Sequence, residues 1–266
     1  MRVPDNLEWS WVVINSSSGK DSQTALRCTV AACDAARIPR DRIVVSHQDL
    51  GKMEWKGCRE LAETQAKHYG LRFEVTRYRD KDGNSSDLLE YVRKRGKWPS
   101  STTRFCTSEF KRGPGNRVLS MLRRERPGHI LQVFGFRAEE SPARAKRSVL
   151  QKNGRASTKQ WEVWDWLPIH DWTTEQVWAD IRESEVPYHP AYDLGMPRLS
   201  CCFCIFAPFS ALVKAGKANP ELLDEYVEAE KQMGHDFQHN KPIRLVKEAI
   251  EHNLQIQESD DGKWNM

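Results

Sequence analysis

Short β-rich runs alternate with longer stretches of helical periodicity over the first half of the chain. WSWVVIN at 9–15, RIVVSH at 42–47 and LRFEVTRY at 71–78 are the runs, and the apolar spacing between them predicts helices over 21–36 and 54–69. A βαβαβ rhythm of this kind implies a parallel sheet covered by helices, with ligands beyond the carboxyl ends of the strands. Further helices are expected over 86–95 and 111–126, and HILQVFGF at 129–136 reads as a fourth, buried strand. Past Trp166 the pattern changes. Thr173 with Gln176 resembles a capping box, while Asn219-Pro220-Glu221 starts a helix that Gly234 ends. The expectation is an α/β domain over 1–165, followed by a mainly helical part over 166–266.

The chain has 266 residues, 39% of them apolar with ten Trp, against 29% charged, which is enough to bury sizeable cores. No apolar run approaches the roughly 20 residues of a membrane helix, and the start, MRVPDNLEWSW, lacks the layout of an export signal. A cytoplasmic protein without a membrane partner is therefore expected. Seven cysteines, odd in number and unevenly spread, fit reduced thiols or metal ligands better than a disulfide framework. The net charge of +4 hides segregation: residues 93–126 sum to +9 and residues 137–159 to +5, leaving the remainder acidic. A basic middle points to a polyanion, either nucleotide phosphates or a nucleic acid, although Arg117 to Arg126 also reads as an ordinary solvated helix face.

The strongest local signal is Ser16-Ser17-Ser18-Gly19-Lys20-Asp21-Ser22, between a predicted strand and a predicted helix. A small-residue turn at that junction lets backbone N–H groups converge on an anion, the helix dipole adds partial positive charge, and Lys20 supplies a full one. The Walker A pattern fails, because Ile14 stands where its first glycine belongs and Asp21 follows the lysine.

This loop resembles the SGGKDS-type loop of the PP-loop superfamily, the adenine nucleotide α-hydrolase-like proteins that include ATP pyrophosphatases and phosphoadenosine phosphosulfate (PAPS) reductases. The resemblance implies a Rossmann-like twisted parallel sheet with helices on both faces, and an adenine nucleotide, ATP or PAPS, as ligand. Ser17-Ser18 departs from the usual glycine, which bears on access to positive φ. His47-Gln48-Asp49-Leu50-Gly51 looks like the family's acidic turn, with His47 and Asp49 placed at base or ribose. Gly135-Phe136-Arg137-Ala138-Glu139-Glu140-Ser141-Pro142-Ala143-Arg144 is similar to the family's G-x-R-x-x-E-S-x-x-R element, making Arg137 and Arg144 candidate clamps for phosphate or sulfate oxygens, with Glu140 otherwise orienting an Arg. The segment from Trp166 through Gly195 looks like the stretch that follows the nucleotide domain in PAPS reductases, so the likeness covers about residues 10–210. Five tryptophans between Trp161 and Trp178 read as core packing more readily than as a base-stacking surface.

Cys201, Cys202 and Cys204 lie within four residues, and Cys106 stands alone upstream. An iron–sulfur cluster, a structural zinc and a redox or sulfur-carrying thiol all fit that spacing. The resemblance favours iron–sulfur, in the form [4Fe–4S], because cluster-containing adenylyl-sulfate reductases and the sulfur-transfer proteins of DNA phosphorothioation carry cysteines at similar places. With one Cys at 106 where assimilatory reductases have an adjacent pair, three- and four-ligand clusters both fit. Lys111 matches the family's basic residue after that cysteine and is expected at the phosphate end of the nucleotide. Cys28, Cys33 and Cys58 read as helix packing.

For the reaction, the expectation is ATP cleavage between the α and β phosphates, with Lys20 and the loop holding pyrophosphate, Asp21 presenting Mg²⁺, and Arg137 and Arg144 offsetting transition-state charge. Sulfur transfer, onto a nucleic acid and from a sulfur-donor protein, would follow. The alternatives are a PAPS or adenylyl-sulfate reductase releasing sulfite and a non-catalytic nucleotide-binding module. The reductase reading is weakened because no cysteine follows Cys204, and the end from Gln255 to Trp264 offers no thiol.

Overall fold

The computed structural model describes residues 1–254 and residue 256, so the tail positions Gln255 and Glu258 to Trp264 used above lie outside the described residues. In chain order the elements that matter here are β1 (Trp9–Asn15), α1 (Lys20–Ala35), β2 (Ile43–Asp49), α2 (Cys58–His68), β3 (Arg72–Arg77), α3 (Leu88–Arg95), α4 (Phe105–Thr107), α5 (Gly113–Glu125) and β4 (His129–Val133). They continue as α6 (Pro142–Ala145), β5 (Leu150–Lys152), β6 (Val163–Trp166), α7 (Thr174–Ser184), α8 (Phe209–Ala218), α9 (Pro220–Met233) and α10 (Arg244–Glu251). No helix among the described residues is long and apolar enough to cross a membrane.

Six strands form one sheet in the order β3-β2-β1-β4-β6-β5. β1 pairs in parallel with β2 and β4, β4 in parallel with β6, and only the β5–β6 edge is shown antiparallel. The central strand is apolar on both faces because helices cover both. Val12 and Ile14 pack with Ala25, Leu26 and Val30 of α1 and Val177 and Ile181 of α7. Trp11 and Val13 pack on the other side with Val118, Leu119 and Leu122 of α5. This alternation of side chains across a pleated strand explains the unbroken WVVI run. Trp166 closes the first of these cores at 4% exposure, and Trp164, Trp172 and Trp178 pack against it.

The chain divides into two interleaved compact units: Met1–Gln48, Gly57–Thr76 and Pro114–His189 form one; Asp49–Lys56, Arg77–Gly113 and Pro190–Met266 form the other. The cut expected near 165 therefore runs through the first unit, and the reason is β6, which hydrogen-bonds to β4 inside the sheet. Within the second unit, Tyr226 of α9 stacks on Trp98 with centroids 5.1 Å apart and packs against Phe203 and Phe237. Four helices of eight or more residues among the described residues, α3 and α8 to α10, give this unit its helical character.

Candidate functional site

The turn from β1 into α1 is held from below by β2. The Ser16 N–H donates to the Ser46 carbonyl at 2.9 Å, and the Ser16 carbonyl lies 3.0 Å from His47 Nδ1. A carbonyl only accepts, so that contact places the proton on Nδ1 and makes buried His47 a brace for the loop. Ser17 and Ser18 donate their N–H groups to the hydroxyls of Ser22 and Ser16, both at 3.2 Å. Ser18 adopts φ +54°, the left-handed region, at the position where the resembling loops carry glycine. Its hydroxyl donates to the Ser17 carbonyl at 2.6 Å, a local bond that helps a serine occupy that region. Gly19 is the N-cap of α1 and no side chain caps the helix, so its first-turn N–H groups face the loop as anion donors.

Behind the loop, charged groups are buried in series. Lys20, 4% exposed, places Nζ 3.1 Å from Asp21 Oδ2, and Arg137 Nε donates to Asp21 Oδ1 at 2.6 Å. Burial pushes the Asp21 carboxyl up; Lys20 and Arg137 more than reverse this and hold it below the ordinary carboxylate range. Gly135, just past β4, makes the approach feasible: a Cβ there would stand 2.5 Å from the Asp21 carbonyl oxygen and 2.8 Å from the Ser22 nitrogen. Arg137 itself, expected to clamp ligand oxygens, turns its fork inward. Nη1 donates to Glu139 Oε2 at 2.5 Å and to the Trp172 carbonyl at 3.1 Å, and Nη2 to Thr174 Oγ1 at 3.2 Å. Arg144 is paired with Glu140 and lies over the Phe136 ring at 4.4 Å, so Glu140 does orient an arginine. The physical reason for both is the same: the 137–144 turn is acidic as well as basic, and its own carboxylates reach the guanidinium groups first.

Asp49 belongs to the second unit. Its Oδ2 accepts from Arg77 Nε at 2.9 Å and Nη2 at 2.7 Å, and its Oδ1 accepts from the Gly51 N–H at 2.8 Å. The acidic turn is thus an anchored one.

The second unit also gathers the thiols. Cys201 forms an isolated antiparallel bridge with Glu54, and the Cys202 N–H donates to the Met53 carbonyl at 2.9 Å, which fixes the cysteine run against the 51–54 turn. Cys106 lies on α4, and a π-helical turn over Ser108–Arg112 follows it. On an α-helix, residues five apart point about 140° apart; the wider turn narrows that angle and brings Lys111 toward the side of Cys106. The Lys111 ammonium stands within charge range of Cys106, Cys201 and Cys204. Although the residue is exposed, surrounding protein desolvates the ammonium, and the charges of Cys201, Cys106, Glu54 and Cys204 outweigh that and raise its pKa. Burial pushes the Cys201 thiol up to about 12 and the Cys204 thiol upward, with Lys111 opposing both and the Phe206 N–H also opposing at Cys204. Cys202 is buried, 2% exposed. Among the described residues no three His, Cys, Asp or Glu side chains are close enough together to hold a single ion. Cys33 and Cys58 are buried and Cys28 half-buried in their helices, the packing role expected of them.

Glu54, Thr174 and Tyr226 join these sites without having been singled out in the sequence. Only Thr174, beside the Thr173 capping box, had a local signal near it.

Residues 11–207 match the phosphoadenosine phosphosulfate reductase domain. The chain belongs to that family. Among curated members, the adenosine 5'-phosphosulfate reductase of Allochromatium vinosum is 30% identical over 170 residues, 61% of this chain and 60% of that relative, so the chain spans less than two thirds of that protein's length. Among solved structures, the phosphate complex of a PAPS reductase from Candida auris superposes with a TM-score of 0.49 at 19% identity, covering 71% of this chain and 80% of the other. The U34-tRNA thiolase NcsA from Methanococcus maripaludis, solved with its [4Fe-4S] cluster, gives a TM-score of 0.49 at 13% identity over 94% and 75%. Family membership fits the cradle: the matched span opens inside β1, two residues past its start, and includes Ser16–Ser22, Arg137, Arg144 and all four cysteines of interest.

Proposed function

We propose that this member of the family binds ATP at the β1–α1 loop, cleaves it between the α and β phosphates, and couples that adenylation to sulfur transfer. The observation that carries the reading is the buried Lys20–Asp21–Arg137 series directly behind an uncapped helix N-terminus. The N–H groups of Ser17 and Ser18 are satisfied by serine hydroxyls that a phosphate oxygen can displace without leaving a donor unmet. When an acceptor oxygen attacks the α phosphorus, the α–β bridging oxygen leaves with pyrophosphate, and negative charge grows where Lys20 and the loop N–H groups point. Asp21 holds the Lys20 ammonium and is the carboxylate available to the nucleotide's Mg²⁺. Arg137 acts as a positioning residue, locking Asp21 and the α1 start to the turn before α7.

The thiol site complements this chemistry. The donors suit an iron–sulfur cluster by their chemistry: Cys106, Cys201 and Cys204 are soft sulfur ligands that share the second unit with Lys111, and Cys202 stands beside Cys201 in the chain. When bound, the cluster supplies iron at which sulfur is held for delivery. Lys111 would offset the negative charge of thiolate ligands, and ligation by three of these cysteines or by all four fits the donor set. Raised thiol pKa values argue against Cys201 and Cys204 as nucleophiles, since a buried, protonated thiol attacks poorly. Nucleic acid as acceptor and a separate protein as sulfur donor complete the reading, on the strength of the basic middle of the chain.

A second reading, reduction of adenylyl sulfate or PAPS, is favoured by the names of the curated relatives. Product analysis separates the readings. Incubation with ATP, Mg²⁺ and nucleic acid is expected to yield AMP and pyrophosphate in equal amounts. Robust sulfite release from adenylyl sulfate or PAPS with thioredoxin would overturn the adenylation reading, and neither product would leave a binding module.

A further inference from the structure

Tyr226 is one of the largest fully buried side chains in the protein, 0% exposed, and its hydroxyl has no hydrogen-bond partner. Its ring is caged on three sides, stacked on Trp98 and set against Phe237 and against Phe203, which lies between Cys202 and Cys204 in the chain. The polar group of the neighbouring cage member is satisfied: Trp98 Nε1 donates to the His235 carbonyl at 3.1 Å. Burying an unmet hydroxyl costs about 1–3 kcal/mol, and phenylalanine would fill the same cage without that cost. The hydroxyl therefore calls for an acceptor that the protein atoms alone do not supply. The cage ties it to the cysteine run: the ring of Phe203, between Cys202 and Cys204, lies 4.9 Å from the Tyr226 ring.

We infer that Tyr226 donates its O–H to a sulfur of the group held at the Cys201–Cys204 run, and so tunes that group's reduction potential. The inference rests on the iron–sulfur reading of the thiol site. A donor to sulfur favours the more negatively charged, reduced form, so its removal lowers the potential.

The test compares wild type with Tyr226→Phe, each purified anaerobically and reconstituted with iron and sulfide. Iron and sulfide content, the midpoint potential of the loaded protein and the thermal midpoint of the unloaded protein are the readouts. Equal loading is expected, with a lower midpoint potential in Tyr226→Phe and an unloaded thermal midpoint no lower than wild type. Equal potentials in two equally loaded proteins would overturn the role of Tyr226 while leaving the cluster in place. Failure of wild type to take up iron and sulfide would overturn both.

Discussion

Ser18 shows how a single residue records a functional constraint. A left-handed backbone costs a non-glycine residue about 1–2 kcal/mol, yet Ser18 holds it at the mouth of β1 while fully buried. Ser18→Gly should keep nucleotide affinity, whereas Ser18→Val should lose about 1–2 kcal/mol of stability relative to the glycine variant, measured by urea unfolding. Asp21 offers a pH-resolved counterpart. Its folded pKa is depressed, so its pairing stabilises the protein above the unfolded carboxyl pKa of about 3.9 and is lost as pH falls through the lower folded value. Asp21→Asn should therefore be less stable than wild type near neutrality, with the gap closing below about pH 4. A gap that stays constant down to acid unfolding would contradict the pairing.

Elements with strong local signals were legible. The predicted run at 9–15 is β1 residue for residue, the Thr173–Gln176 capping box opens α7, and Pro220 and Gly234 bracket α9 as their backbone preferences require. β5 and β6 were not, because a three-residue strand with two exposed positions and a VWDW segment carry no clear period; β6 is placed by pairing with β4, and β5 by pairing with β6. The π turn over Ser108–Arg112 was equally hidden, and with it the placement of Lys111. Contact between the end of β4 and the start of α1 depends on Gly135. Gly135→Ala drives a methyl into the backbone of Asp21 and should cost about 1–3 kcal/mol. It should also weaken ATP binding, because the first turn of α1 must shift; unchanged melting and affinity would show that the approach is slack.

For the whole molecule, charge and thiols were readable as composition but not as arrangement. Of the basic block, Arg126 pairs with Asp41, Arg93 with Glu225, and Arg95 and Arg104 lie over Phe105 and Phe206, so much of its charge serves packing. Lys97, Arg112 and Arg124 remain exposed. Spacing grouped Cys201, Cys202 and Cys204, whereas only the fold brings Cys106 within charge range of Lys111 together with Cys201 and Cys204. Anaerobically purified protein is expected to contain iron and acid-labile sulfide, and Cys106→Ser, Cys201→Ser and Cys204→Ser each to lose most of it, while Cys28→Ser retains it. Stoichiometric zinc in their place would remove the sulfur-delivery role.

Calorimetric titration of ATP into wild type and Lys20→Ala addresses the grip of the loop on the nucleotide directly. Loss of one charge-assisted contact of about 1.5–3 kcal/mol predicts affinity at least about tenfold weaker in the variant. Equal affinity in the two proteins, or no binding by wild type, would contradict the assignment of this loop as the nucleotide cradle.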